Sequence, residues 1–279
     1  MEKKKKFNFK EEMEKGKALL DSRLLEAVVL SPSGGGKSCL CGTLPGKILY
    51  LYTEAEKHGP KNAKKYGGGD VYPFCIDHKR NPDESIEYVV ELLNDVDFIR
   101  ESEFKSIVCD SLMQFETLIR GTSLYYAMCK TTGGKHDGYK EPAAVLSIFN
   151  KIMGALRNLN QELGIHYICT CPLDVREKGE NGEILASKPQ LSTYMIAESL
   201  IQQFSDVFVI GQLSKEKEDG TVISDWRIQF LSGIYKDSKD KHERIKKTIN
   251  YNPRSTDVEK LPRTMRADLK DLIKLKEQQ

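Results

Sequence analysis

Apolar residues in this chain come in short blocks, and polar segments of helical spacing lie between them. "EAVVLS" (26–31), "KILYLYTE" (47–54), "GDVYPFCI" (69–76), "FKSIVCD" (104–110), "HYICTCP" (166–172) and "DVFVI" (206–210) read as strands. Most are apolar at consecutive rather than alternate positions, as expected of strands covered on both faces. "KSCLCGTL" (37–44) reads as a short helix stopped by Pro45 and Gly46. "PDESIEYVVELLNDVDFI" (82–99) places Ile86, Val89, Val90 and Leu93 on one helical face, with acids in the first turn. "EPAAVLSIFNKIMGALRNLNQEL" (141–163) predicts a long amphipathic helix, and "YMIAESLIQQF" (194–204) a core-facing one. "DWRIQFLSG" (225–233) predicts a strand pairing with 206–210, its Trp226 packed on the core. Strand and helix alternate. The expected fold is therefore α/β: a mainly parallel, twisted sheet with helices on both faces. Residues 1–22 form a basic segment, 23–235 the core, and 236–279 a basic extension packing on the core or extending it. Two long polar stretches, 120–141 and 173–192, read as loops of a length that is usually functional.

Charge refines this picture. The chain of 279 residues has a net charge of +2, but residues 1–17 carry +3 and residues 236–279 carry +5, leaving −6 between 18 and 235. Basic ends suit an acidic partner such as nucleic acid, or are ordinary solvated tails. No apolar run approaches the roughly 18 residues of a membrane span, so no membrane association is expected. The lysine-rich start lacks the apolar stretch of a secretory signal. The seven cysteines are odd in number and sit mostly in apolar surroundings, as reduced thiols of a cytoplasmic protein do. The pairs Cys39/Cys41 and Cys169/Cys171 are C-x-C, without the spacing of zinc ligands.

The chemistry concentrates at residues 31–38, "SPSGGGKS", between the first strand and the first helix. A glycine-rich turn at the carboxyl end of a parallel strand exposes consecutive backbone N–H groups, and the following helix adds its positive end. That arrangement suits a polyphosphate. Ser33, Gly34, Gly35, Gly36, Lys37, Ser38 and Cys39 would cradle it, Lys37 would reach the β- and γ-phosphates, and the Ser38 hydroxyl would ligate Mg²⁺. The full pattern is G-x-x-x-x-G-K-[ST], and Ser31 stands at its first glycine. Asp110, closing a later strand, fits the acid that holds Mg²⁺, and its other reading is a helix N-cap. Glu54, closing "ILYLYTE", is the candidate group for the attacking water, with Glu56 its competitor. His166, ahead of a buried strand, reads as a structural histidine. No Ser-His-Asp constellation and no G-x-G-x-x-G is found.

Taken in order, "SPSGGGKS", "ILYLYTEAEKHGPKNAKKYG", "SIVCDSL", the long helix, "HYICTCP" and "FSDVFVI" resemble the RecA-like ATPase core. More narrowly, they resemble the phage-encoded RecA-like ATPases of recombination and single-strand annealing, from about residue 24 to "LPRTMRADLKDLI". The resemblance implies a P-loop ATPase using ATP and Mg²⁺, with Lys37 and Glu54 catalytic and Ser38 and Asp110 at the metal. It implies single-stranded DNA as partner, a ring or filament of identical copies, phage single-strand-binding or replication proteins nearby, and the host cytoplasm as location. The family's DNA-contacting loops coincide with the two long polar stretches. There Lys130, Lys135, Lys140, Arg176, Lys178 and Lys188 supply cations, and Tyr125, Tyr126, Tyr139 and Tyr194 supply rings. Lys236, Lys239 and Lys241 are candidates to reach a neighbour's γ-phosphate. Cys171 stands where recombinases carry a polar sensor, and only the lysine-rich segment precedes the core. These departures favour DNA binding or annealing support over strand exchange. The alternatives are a nucleotide-gated helicase loader or packaging accessory with little hydrolysis, and a P-loop small-molecule kinase.

Overall fold

The computed structural model describes residues 24–178, 184–216, 222–229 and 249–251, with backbone alone for 175–178, 184–188 and from 211 onward. Its strands are β1 (Glu26–Ser31), β2 (Lys47–Tyr52), β3 (Asp70–Cys75), β4 (Phe104–Asp110), β5 (His166–Lys178), β6 (Ile184–Pro189), β7 (Asp206–Glu216), β8 (Val222–Gln229) and β9 (Ile249–Tyr251). The sheet runs β3-β2-β4-β5-β1-β7-β8-β9, and β6 pairs with β5 outside that path. The six strands from β3 to β7 are all parallel. β8 and β9 add antiparallel, so residues 249–251 extend the sheet.

The helices are α1 (Lys37–Cys41), α2 (Gly59–Asn62), α3 (Pro82–Asn94), α4 (Val96–Glu101), α5 (Leu112–Arg120), α6 (Ser123–Met128), α7 (Glu141–Leu163) and α8 (Tyr194–Ile201). A π turn, Ala63–Gly67, continues α2. Strand side chains alternate between faces. Val28, Leu30, Leu49, Leu51, Ile107 and Cys109 pack with α3, α5, α7 and α8 on one side. Ala27, Val29, Ile48, Tyr50, Val108 and Ile168 meet Leu40, Cys41 and Ala63 on the other. Ile148, Phe149, Ile152, Leu156 and Leu159 of α7 are fully or almost fully buried. Each such side chain contributes about 1.5–3 kcal/mol by leaving water. Gly164, at φ 65°, ends α7 in the left-handed conformation that helix ends favour.

Three expectations are corrected. The helix read across 82–99 breaks at Asp95, whose side chain accepts the Phe98 N–H at 3.0 Å and starts α4. Residues 120–141 are no open loop: they hold α6, a bridge between Lys130 and His136, and a 3₁₀ turn at Gly138–Lys140. Residues 173–192 contain an antiparallel hairpin, with Leu173 opposite Pro189 and Lys178 opposite Ile184. So polar a stretch has no apolar block that would mark a strand in the sequence alone. No helix among the described residues is long and apolar enough to cross a membrane.

Candidate active site

β1 ends at Ser31, and the chain turns with the Gly35 N–H donating to the Pro32 carbonyl at 3.1 Å. Gly34 and Gly36 have φ of 77° and 84°, a region that side-chain-bearing residues avoid. A Cβ on Gly35 would lie 1.6 Å from Ser31 Oγ, so the loop closes only around glycine. α1 has just five residues, so the loop's own amides carry more of the anion-binding potential than its helix dipole. Lys37 folds back, its Nζ donating to the carbonyls of Ser31 at 3.0 Å and Pro32 at 3.3 Å. Burial lowers the Lys37 pKa, against opposing contributions from Asp110, Cys171 and Glu56.

Asp110 closes β4 and is 2% exposed. Its Oδ2 accepts from the Tyr50 hydroxyl at 2.6 Å and the Ser38 hydroxyl at 3.2 Å, and its Oδ1 accepts from the Thr170 hydroxyl. Three donors from α1, β2 and β5 thus surround one buried carboxylate. The N-cap reading of Asp110 is corrected: Ser111 occupies that position ahead of α5. Burial, then the charge of Asp110, pushes the Tyr50 phenol well up, so it remains a donor. Gly59 packs against this group, where a Cβ would lie 2.4 Å from Asp110 Oδ2. The hydroxyl of Ser38 and the carboxylate of Asp110 form an oxygen donor set at one point, which fits a hard divalent cation such as Mg²⁺.

The two glutamates separate. Glu54 opens a 3₁₀ turn that ends at Glu56. The Glu54 carboxylate pairs with His78 Nδ1 at 2.8 Å, with its side chain 60% exposed, and does not line the cavity beneath the loop. Glu56 does line it, and accepts from the Ser111 hydroxyl at 3.3 Å. Burial raises the Glu56 pKa and Asp110 adds to the rise, while Lys37 and the Ser111 hydroxyl oppose it. The structure therefore brings Glu56, not the expected Glu54, to the cavity beside the glycine loop.

The cavity measures about 540 Å³. All of Ser33–Cys39 line it, together with Asp110 and Glu56. His58, Asn62 and Tyr66 form one wall, and Met113, Pro172 and Gln190 also line it. Sequence reasoning did not select Tyr50, Thr170, Asn62, Tyr66 or Gln190 for the site. For Tyr50 and Thr170 the sequence carries no local signal, since alternation puts every second strand residue on the same face and singles out neither.

Of the other expected residues, Lys130, Lys135 and Lys140 are exposed. Lys140 Nζ donates to the Lys130 carbonyl at 2.9 Å. Tyr126 and Tyr139 are exposed, whereas Tyr125 is buried. Arg176 and Lys178 lie on β5 and Lys188 on β6, with side chains outside the described residues. Lys236, Lys239 and Lys241 fall entirely outside the described residues. His166 Nδ1 accepts the Leu25 N–H at 3.1 Å, as a structural histidine would. All seven cysteines are free thiols.

An ionic cluster ties the hairpin to the core. Glu116, 4% exposed, accepts from Arg120 Nε at 3.0 Å and from the Ser192 N–H at 3.0 Å. Arg120 also reaches Glu141 at 2.7 Å and the Tyr125 hydroxyl at 2.9 Å, and His136 pairs with Glu141 at 2.7 Å.

No protein-family model matches this chain, and no curated protein matches it.

Proposed function

We propose that the protein binds Mg-ATP and hydrolyses it as a RecA-like P-loop ATPase, and that it acts on single-stranded DNA in phage-type recombination, annealing or replication. The observation carrying this reading is the convergence of Lys37, Ser38, Asp110 and Glu56 on one cavity below a glycine-built loop. In this reading the loop amides receive the phosphate oxygens, and Lys37 exchanges its two carbonyl partners for them. Ser38 and Asp110 would hold magnesium, which would supply charge neutralisation at the phosphates. Glu56 orients a water and takes its proton as the new O–P bond forms at the γ-phosphorus. The bond to the bridging oxygen breaks, releasing ADP and phosphate. A raised pKa makes Glu56 a better proton acceptor than a solvated carboxylate.

The DNA part rests on the exposed Lys130, Lys135 and Lys140 and the exposed rings of Tyr126 and Tyr139, all within one stretch of sequence. Cations and exposed aromatic rings suit phosphates and unstacked bases. Assembly into a ring or filament belongs to the same reading. The deciding experiment is steady-state ATP hydrolysis with and without single-stranded DNA, with Lys37→Ala as blank. Stimulation by DNA is expected. Hydrolysis indifferent to DNA removes the DNA partner and turns attention to another P-loop chemistry. ATP binding without hydrolysis favours a nucleotide-gated accessory module.

A further inference from the structure

Two segments of opposite charge lie on opposite sides of the sheet. Residues 57–69 hold Lys57, Lys61, Lys64 and Lys65 and no acid, a net +4. All four lysines are exposed, while Ala63 and Gly67 of the same segment are buried. None of the four forms an ion pair among the described residues. Residues 81–103 hold eight acids and one base, Arg100, a net −7. Glu84, Glu87 and Glu91 are exposed and share one face of α3 by their spacing of three and four. Asp97 and Glu103 pair with Arg100 and Lys47, whereas Glu87, Glu91 and Glu101 have no ion pair among the described residues. Ala63 packs with Ile48 and Tyr50 on one side of the sheet. Ile86, Val89 and Leu93 of α3 pack with Leu49 and Leu51 on the other. The sheet lies between the two charged faces, so they cannot meet within one chain.

The acidic face also has an apolar floor. The rings of Tyr88 and Phe74 stack at 5.4 Å between centroids, and Tyr72 and Phe98 pack on Phe104 at 5.6 and 6.4 Å. Tyr72, Tyr88 and Phe98 nevertheless remain exposed. One cation shares this floor, Arg80, 4.2 Å from the Tyr88 centroid. Lysine suits such a surface, because its apolar stem can lie on rings while its ammonium reaches the acids.

We infer that the α3–α4 face of one copy docks the lysine segment 57–65 of a second copy. Nucleic acid fits neither face as well. A net −7 repels phosphates from the first, and the second offers bases no fully exposed ring, since Tyr66 is half-buried. A second copy satisfies both faces in one contact. Because two different faces meet, the contact repeats from copy to copy, giving a ring where the rotation closes and a filament where it does not. This deepens the assembly part of the proposed function and rests on it.

The test is sedimentation velocity of the full-length protein at about 50 mM and about 500 mM salt. Wild-type protein should associate at the lower salt and at least about tenfold more weakly at the higher, since the charges involved are solvent-exposed. Lys61→Glu/Lys64→Glu and Glu87→Lys/Glu91→Lys should each associate at least about tenfold more weakly than wild type. Mixed one to one, they should associate again, because each supplies the face that the other lacks. Thermal melts check that both variants fold. A wild-type protein that stays monomeric at low salt overturns the inference. So does a Glu87→Lys/Glu91→Lys protein that associates like wild type, and so do two folded variants that stay apart when mixed. Loss of single-stranded DNA binding in Lys61→Glu/Lys64→Glu with unchanged association assigns the lysines to nucleic acid and also overturns it. Failure of the ATPase reading is seen separately, as the absence of any hydrolysis that Lys37→Ala removes.

Discussion

Replacing Glu56 by Gln keeps the side chain's shape and removes its ability to take a proton. An amide oxygen can still accept from the Ser111 hydroxyl, which lies 3.3 Å from Glu56 Oε1, so the local fold should survive. A positioned base contributes about 10²–10⁴-fold to rate. At about 1.36 kcal/mol per decade, that is about 2.7–5.4 kcal/mol of activation free energy. Glu54→Gln is the internal control. Its carboxylate is mostly solvated and pairs with His78 at the surface, an interaction worth at most about 1 kcal/mol of stability. Its rate should therefore change by less than about twofold.

The assay is single-turnover phosphate release at saturating Mg-ATP, with ATP affinity measured separately by equilibrium binding. Glu56→Gln should lose its rate while still binding ATP. The wild-type rate should also fall with decreasing pH, because the base must be ionised. Since burial raises the Glu56 pKa, that fall should centre above the ordinary value of 4.5. A hundredfold loss in Glu54→Gln with a near-normal Glu56→Gln would refute the geometric argument and restore the sequence's first choice.

Tyr50→Phe removes a 2.6 Å hydrogen bond to the buried Asp110 carboxylate and should cost about 1.5–3 kcal/mol in urea unfolding, with an unchanged m-value. A loss below about 0.5 kcal/mol would mean that Ser38 and Thr170 suffice for that carboxylate. Gly59→Ala drives a methyl to within 2.4 Å of Asp110 Oδ2, so it should weaken Mg²⁺-dependent nucleotide binding by at least about tenfold, read by titration with and without the metal. Hydrogen bonds from Arg120, then His136, hold the Glu141 pKa at about 2 against an ordinary 4.5. Its contribution to stability is thus complete above pH 4.5 and lost as pH falls from there towards 2. Melts across that range should show this acid loss in the wild type and a shallower one in Glu141→Gln.

Much of the sheet was legible because both of its faces are covered. Burial on two sides forces consecutive apolar residues, and β1, β2, β4 and β5 announced themselves that way. α7 was equally plain, since its buried positions recur at helical spacing over 23 residues. The hairpin was not legible. Its strands carry Asp174, Arg176, Glu177 and Lys188, and only the pairing partner makes such a segment a strand. The break at Asp95 was hidden for a related reason, since a capping side chain reads in sequence as one more helix-surface acid. The Arg120 cluster joins positions 116, 125, 141 and 192, and no local pattern links residues so far apart.

The site divides the same way. Residues 31–38 and Asp110 stood out in the sequence because a glycine-rich turn is contiguous and Asp110 closes a recognisable strand, and the structure places Ser33–Cys39 and Asp110 on one cavity. The choice between Glu54 and Glu56 depends on the backbone conformation just beyond β2. In a continuing strand, residues two apart share a face, and either glutamate would have pointed the same way. The chain instead enters a 3₁₀ turn at Glu54. With about three residues per turn, residues two apart point roughly 240° apart around its axis. One carboxylate must then leave the cavity. Asp77, accepting the Glu54 N–H at 2.8 Å, and His78, holding its carboxylate, fix which one. The proposed choice of Glu56 as base thus hangs on a single turn whose direction is set by residues more than twenty positions downstream.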